Sequence, residues 1–376
     1  MWSQESTSTA DTSQPTQLPV KAYFDEQLLA IEQDLIFKGA PAYAGHSLMV
    51  PELHDYFVLP HRHNGMALIR NAEGVTLMSN VCRHRQATIL QGKGNSPRLS
   101  CSLHRWTYAN SGDLLMAPRF ETRPCAKLDT YQLHEWNGLL FTGRDPAASL
   151  VCMPDRFKEF LSFDDLYFGH MEVHECAYNW KTFIEFYLED YHVAPFHPGL
   201  GRFVSCDDLK WAFGEDWSVQ TVGFHRGLSQ PGESDVYRAW HEAVLKHYNN
   251  ELPPVGAMWF LLYPNVMIEW YPFVTVISTI YPRGPLRSVN VVEYYHPRSL
   301  RSHPDGERMA QLAAQAYLET AVEDNQIGER MQEGRFALMS RGVSEHGPYH
   351  LQLEAGMVHF HRHYRDCLRD QVALQT

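Results

Sequence analysis

Cys82-x-His84, sixteen further residues, and then Cys101-x-x-His104 is the pattern that most narrows what this chain can fold into. Two short segments each offer one thiolate and one imidazole, so a metal site that uses all four must bring two loops face to face. A [2Fe–2S] cluster in which two Cys hold one iron and two His hold the other has this need, and His in place of Cys raises the cluster's potential. The alternative is a tetrahedral Cys2His2 zinc site, but zinc modules usually place Cys near Cys and His near His. The mixed loops favour the iron–sulfur cluster. Cys125, Cys152, Cys176, Cys206 and Cys367 have no comparable spacing and read as buried small hydrophobes.

The chain around these loops changes character in stages. Residues 1–20 are polar, with no Lys or Arg before Lys21 and no apolar run, so they lack both parts of a secretory signal and read as a mobile arm. Residues 22–38 place Phe24, Leu28, Ile31, Leu35 and Ile36 at helical spacing. From 45 to 150, segments such as YFVLP, MALIR, GVTLMS and GLLFTG punctuated by Gly, Asn and Pro predict a small all-β module. Residues 151–376 give an α+β pattern, with strands near 170–178, 257–264, 266–281 and 286–297 and a long helix near 304–340.

Composition removes several function classes. With 32 basic against 44 acidic residues the net charge is -12, which argues against a nucleic-acid partner. The most apolar stretch, Val255 to Ile280, is broken by Pro264, Glu269 and Pro272 and cannot be a continuous membrane-spanning helix. Seven widely spread cysteines suggest reduced thiols or metal ligands, and a cytoplasmic location is expected. No Gly-rich dinucleotide fingerprint follows a strand, so NAD(P)H would act only through a separate protein.

A second metal constellation lies further on. The stretch Asn179 to Pro198 reads as one helix ending near Pro195, which would put Glu185, Glu189 and His192 on one face, with His197 just beyond the end. These residues alone could equally be the wet side of an amphipathic helix. On the long helix, Ala313, Tyr317, Thr320, Asp324, Ile327 and Met331 form a buried stripe, while Glu319, Glu323, Gln326 and Arg330 take the wet side. A carboxylate in an apolar stripe is costly unless it is paired or binds a metal. His192, His197 and Asp324 together make the two-His, one-carboxylate triad of non-haem Fe(II) oxygenases; a buried salt bridge is the alternative for Asp324.

At this point the chain resembles the α subunits of Rieske non-haem iron oxygenases, ring-hydroxylating and N-dealkylating, over almost its whole length. The likeness runs through Asn80 to Arg85, Cys101 to Tyr108, Asn179-Trp180-Lys181, Glu189 to Pro198, Tyr263-Pro264-Asn265, Glu323-Asp324 and Phe360 to Tyr364. It implies an all-β Rieske domain (45–150) inserted into a helix-grip catalytic domain (21–44 and 151–376). It implies a [2Fe–2S] cluster on Cys82, His84, Cys101 and His104, and a mononuclear Fe(II) on His192, His197 and Asp324. It also implies a head-to-tail ring, usually a homotrimer, in which Glu189 bridges the iron site to a neighbour's cluster for electron transfer. The expected activity is that of a mono- or dioxygenase taking O2 and electrons from a ferredoxin or NAD(P)H reductase to hydroxylate or dealkylate a small aromatic or quaternary amine. Gln86 and Arg105 stand where Gly is common, Ser102 and Leu103 where Pro and Tyr are common, and Phe186 where Asn is common.

A Glu at position 189 resembles the branch acting on carnitine, choline or betaine-type amines more than the arene dioxygenases. The aromatic runs Trp259 to Tyr263 and Ile268 to Phe273 could form a cage for an ammonium group or simply be sheet core. His61-Arg62-His63 and the His-rich run 359–365 read as solvated surface or interface rather than an extra metal or anion site.

Overall fold

The computed structural model describes residues 17–228, 234–343 and 345–368. Most of the expected N-terminal arm lies outside the described residues. Leu18 and Val20 at its end are buried, and a helical turn, Val20–Tyr23, leads into helix α1, Glu26–Glu32. The helix expected over 22–38 is thus shorter. Asp25 caps its start by accepting from the Gln27 and Leu28 N–H groups, and a wider turn, Gln33–Phe37, closes it. Leu28, Leu29 and Ile36 pack with Trp180, Ile184 and Phe360, so this segment shares a core with the C-terminal part of the chain.

The β module is built of short antiparallel strands. Asp55–Val58, Met66–Asn71 and Gly74–Ser79 are the centre of a five-stranded sheet, and Arg98–Ser100, Thr107–Ala109 and Leu114–Met116 form a three-stranded one. Pro41–His46, where the chain enters, pairs with Leu139–Gly143, where it leaves. Entry and exit therefore lie side by side, and Tyr43, Leu139 and Phe141 pack against Phe260 and Tyr295 of the larger sheet.

That larger sheet has seven antiparallel strands: β1 (Leu166–Cys176), β2 (Val204–Phe213), β3 (Trp217–Phe224), β4 (Ala257–Leu262), β5 (Val266–Tyr271), β6 (Val274–Gly284) and β7 (Arg287–Pro297), in the spatial order β1-β7-β6-β5-β4-β3-β2. The single strand expected over 266–281 is a hairpin: Tyr271 pairs with Val274 across a turn in which Phe273 takes a left-handed φ of 74°. Every residue of β4 is buried because both faces are covered. Phe260, Leu262 and Ile268 face the entry and exit strands, whereas Trp259, Tyr271 and Val276 face helix α3 (Asp235–His247) and helix α4 (Gly306–Ser340). The α4 helix has 35 residues and buries Met309, Ala310, Ala313 and Ala316 on that face. A near-continuous apolar strand is what a sheet covered on both sides requires.

Several sequence readings change here. Cys176 is buried as expected, but Cys125 and Cys152 are exposed. His61 and His361 are not surface residues: His61 stacks on Tyr281 at 5.2 Å, and His361 is fully buried between Glu185 and Tyr349. Within this fold no helix among the described residues is long and apolar enough to cross a membrane.

Candidate metal centres and substrate pocket

The two Cys/His loops have the same backbone construction. The Cys82 N–H donates to Ala87 O at 2.9 Å and the Gln86 N–H returns to Cys82 O at 3.1 Å; Cys101 N–H to Trp106 O (2.9 Å) and Arg105 N–H to Cys101 O (3.0 Å) repeat the pattern. Both Gln86 and Arg105 sit in the left-handed region, at φ 54° and 61°. This is the physical reason Gly is common at both positions, since it alone enters that region freely. Cys82 and Cys101 are buried, and the rings of His84 and His104 approach to 4.6 Å at 72°. His84 stacks on Trp106, and its Nδ1 is a buried nitrogen without a hydrogen-bond partner. Tyr108 Oη lies 3.4 Å from Cys82 Sγ and accepts the Arg83 N–H. Two free thiols and an orphaned imidazole nitrogen in one small module fit a cluster held by both loops.

The second centre forms where helix α2, Trp180–Tyr187, stops. The helix expected to reach Pro195 breaks at Leu188, and a separate turn, Val193–Phe196, follows. Pro195 has no N–H to donate and would clash with the carbonyl of Tyr191 in a continuous helix. Glu189 compensates for the break, its Oε2 accepting the N–H groups of Tyr191 (2.8 Å) and His192 (3.1 Å). Glu185, expected on the same face, points instead into the interior, where it meets Arg335, Tyr23 and His361.

The break brings His192 and His197 opposite α4. Asp324 Oδ1 lies 3.5 Å from His192 Nε2 and 3.1 Å from His197 Nε2, and one ligand atom from each of the three falls within 4.8 Å of the others. Neither approach has hydrogen-bond geometry, so Asp324 Oδ1 is a buried acceptor with no partner. Each imidazole is gripped from behind: His192 Nδ1 by Glu189 Oε1 at 2.6 Å, and His197 Nδ1 by Glu323 Oε2 at 2.7 Å. Committing both Nδ1 atoms leaves both Nε2 lone pairs directed at the same gap. Such carboxylate backing is usual for metal-ligating His. Glu323, read from the sequence as wet, therefore belongs to the site.

Charge and burial are finely opposed in this gap. Burial lowers the pKa of His192, but Asp324 and Glu189 outweigh it and carry it up to about 10. Burial likewise opposes ionisation of Asp324, and the facing imidazoles still hold its carboxyl below the usual range. On α4, Gly328 lets the helix approach the Tyr178 ring, which a Cβ would meet at 2.5 Å, and Tyr178 Oη donates to Asn325 beside Asp324 at 2.7 Å.

Comparison with known proteins gives the family. Residues 51–132 match the Rieske [2Fe-2S] domain, and residues 163–370 match the ring hydroxylating alpha subunit (catalytic domain). The chain belongs to the Rieske oxygenase α subunits. It is 53% identical over 358 residues to a putrescine 2-hydroxylase of Ralstonia nicotianae, covering 93% of this chain and 95% of that one. It is 51% identical over 366 residues to a putrescine 2-hydroxylase of Bordetella bronchiseptica, covering 93% and 84%. Among solved structures, a quaternary ammonium Rieske monooxygenase superposes with a TM-score of 0.73 at 19% identity, covering 93% of this chain and 94% of that chain, which shows the shared fold.

As a Rieske oxygenase the chain carries a [2Fe–2S] cluster and a mononuclear iron, and its triad opens onto a pocket between the seven-stranded sheet and α4. The aromatic runs divide: Trp259 and Tyr271 line this pocket with Tyr187, Trp240 and Tyr317, whereas Phe260, Tyr263 and Phe273 are core. Four carboxylates line it, Glu189, Asp190, Glu269 and Asp324, and among the described residues no Lys or Arg does. Glu269 was legible in the sequence only as a charge interrupting an apolar run. It is 5% exposed; Tyr317 Oη donates to its Oε1 at 2.8 Å and Tyr271 Oη to its Oε2 at 3.1 Å.

Proposed function

We propose that this Rieske oxygenase hydroxylates a small aliphatic diamine of the putrescine type. One observation carries the reading: the pocket beside the triad is walled by aromatic rings and four carboxylates with no Lys or Arg among the described residues. Such a cavity disfavours an anion and suits a compact cation, through cation–π contact and charge pairing. The identity to two putrescine 2-hydroxylases supports a primary amine over the aromatic or quaternary amine that the sequence motifs suggested. In the reaction a C–H bond becomes C–O–H, the second oxygen atom of O2 leaves as water, and two electrons and two protons come from outside.

In this reading Cys82, His84, Cys101 and His104 hold the cluster, and His192, His197 and Asp324 hold the mononuclear iron. The iron centre supplies O2 activation, and the cluster supplies electrons from a separate ferredoxin or reductase. This chain's own residues prepare the site. Glu189 and Glu323 fix both imidazoles with Nε2 facing inward, and the pocket aromatics exclude water. Glu189, whose side chain is 16% exposed, is assigned to bridge the iron site to the cluster of a neighbouring subunit in a homotrimeric ring. We assign 45–150 to the Rieske module and 21–44 with 151–376 to the catalytic domain, and we propose a cytoplasmic location. Incubation of the purified protein with a reductase, NADH, putrescine and isotopically labelled O2 should give a hydroxylated diamine carrying one labelled oxygen. Conversion of a quaternary amine with no attack on putrescine would overturn the substrate assignment.

A further inference from the structure

We infer that Glu269 receives one ammonium group of the substrate and thereby fixes which carbon of the chain lies at the iron site. This rests on the diamine reading and narrows it to one wall of the pocket. Five antiparallel pairings run through Gln220, Trp259, Glu269, Val276, Tyr294 and His170 across the sheet. Directly paired residues share a face, so Glu269 projects from mid-sheet toward α4, with Trp259 beside it.

The hydrogen atoms around this carboxylate can be assigned. Trp259 Nε1 can only donate, and it donates to Tyr271 Oη at 2.6 Å, so the Tyr271 hydroxyl must direct its own proton to Glu269 Oε2. Tyr317 likewise donates to Oε1. A carboxylate has about four acceptor positions, and two are used here. The others have no donor among the described residues, and no Lys, Arg or His forms an ion pair with the group. Burial pushes its pKa up to about 7, and among the described residues no Lys or Arg lines the pocket to keep it ionised. A primary ammonium fills both needs, bringing a charge and N–H donors. A quaternary ammonium would bring only the charge.

A second carboxylate shows that this is not merely a way of building the sheet. Glu293 also receives two tyrosine hydroxyls, Tyr43 (2.8 Å) and Tyr295 (2.6 Å), both on its Oε2, but it is sealed in the interior and does not line the pocket. Glu269 takes one tyrosine on each oxygen and lines the pocket. Its donor Tyr317 stands seven residues before Asp324 on α4, two turns or about 10 Å along the axis. That spacing leaves room for a short alkyl chain with its ammonium at Glu269 and an inner carbon beside the triad.

The test is anaerobic calorimetry of putrescine binding to iron-loaded wild type, Glu269→Gln, Tyr317→Phe and Glu293→Gln, followed by product analysis under O2. Loss of a buried charge pair predicts at least about a 30-fold weaker Kd for Glu269→Gln, and oxidation spread over more than one carbon. Tyr317→Phe should lose about tenfold, and it carries the test if Glu269→Gln does not fold. Glu293→Gln should bind as wild type does. Wild-type affinity in both Glu269→Gln and Tyr317→Phe would overturn the inference and leave the diamine reading intact. Failure of wild type itself to bind putrescine would overturn that reading and the inference with it.

Discussion

Replacing Glu323 by Gln isolates the role of the carboxylate behind His197. The substitution keeps the side chain's shape and an acceptor oxygen but removes the charge. In the structure Glu323 Oε2 meets His197 Nδ1 at 2.7 Å, with the imidazole 1% and the carboxylate side chain 22% exposed. Hydrogen bonds to charged groups contribute about 1.5–3 kcal/mol against 0.5–1.5 for neutral ones. The partial exposure of Glu323 places the loss at the lower end, roughly 1–1.5 kcal/mol, which is about tenfold in metal affinity. Anaerobic competition for Fe(II) against a chelator reads this directly. The visible spectrum of the cluster serves as an internal control, because Glu323 holds His197 and, among the described residues, is bonded to no residue of either cluster loop. A tenfold weaker mononuclear site with an unchanged cluster spectrum is expected. Unchanged iron affinity would refute the claim that Glu323 orients and polarises His197.

Two further outcomes follow from the same geometry. Tyr108→Phe removes the hydroxyl 3.4 Å from Cys82 Sγ, so the cluster should lose a stabilising donor and its potential should fall by roughly tens of mV in a redox titration, whereas no fall would show that the hydroxyl does not reach the sulfur. Burial raises Glu293 from its ordinary 4.5 to about 7, so the unfolded chain gives up this proton first, and wild-type stability should decline between about pH 4.5 and 7 by an amount on the order of 3 kcal/mol. Glu293→Gln removes that titration. Its denaturation midpoint should gain on wild type as pH rises from 5 to 8, and parallel profiles would count against the buried, uncharged carboxyl.

The parts of the site that were legible in the sequence are those whose chemistry fixes their spacing. Cys82, His84, Cys101 and His104 could be paired because two loops must each bring a thiol and an imidazole. Asp324 stood out as a carboxylate in the apolar stripe of a long helix, and the structure sets it against His192 and His197. Glu323 was missed because helical periodicity turns it about 100° from Asp324, and only the folded loop at 193–197 reaches over to meet it. The same periodicity carried α2 too far, since it does not register that Glu189 can satisfy the backbone of a chain turning away. Glu269 was missed for another reason. A lone charge within β5 signals either a turn or a buried function, and only the tyrosines on neighbouring elements distinguish them. Gln86 and Arg105 were recognised as departures from Gly, but their left-handed conformations were needed to show what the Gly is for.

The most direct test of the account is the metal and sulfide content of anaerobically purified protein, compared with an Asp324→Ala variant. About three irons and two acid-labile sulfides per chain are expected in the wild type. In the variant one iron should be lost and the cluster spectrum kept. Zinc without sulfide, or a variant that retains all its iron, would contradict it.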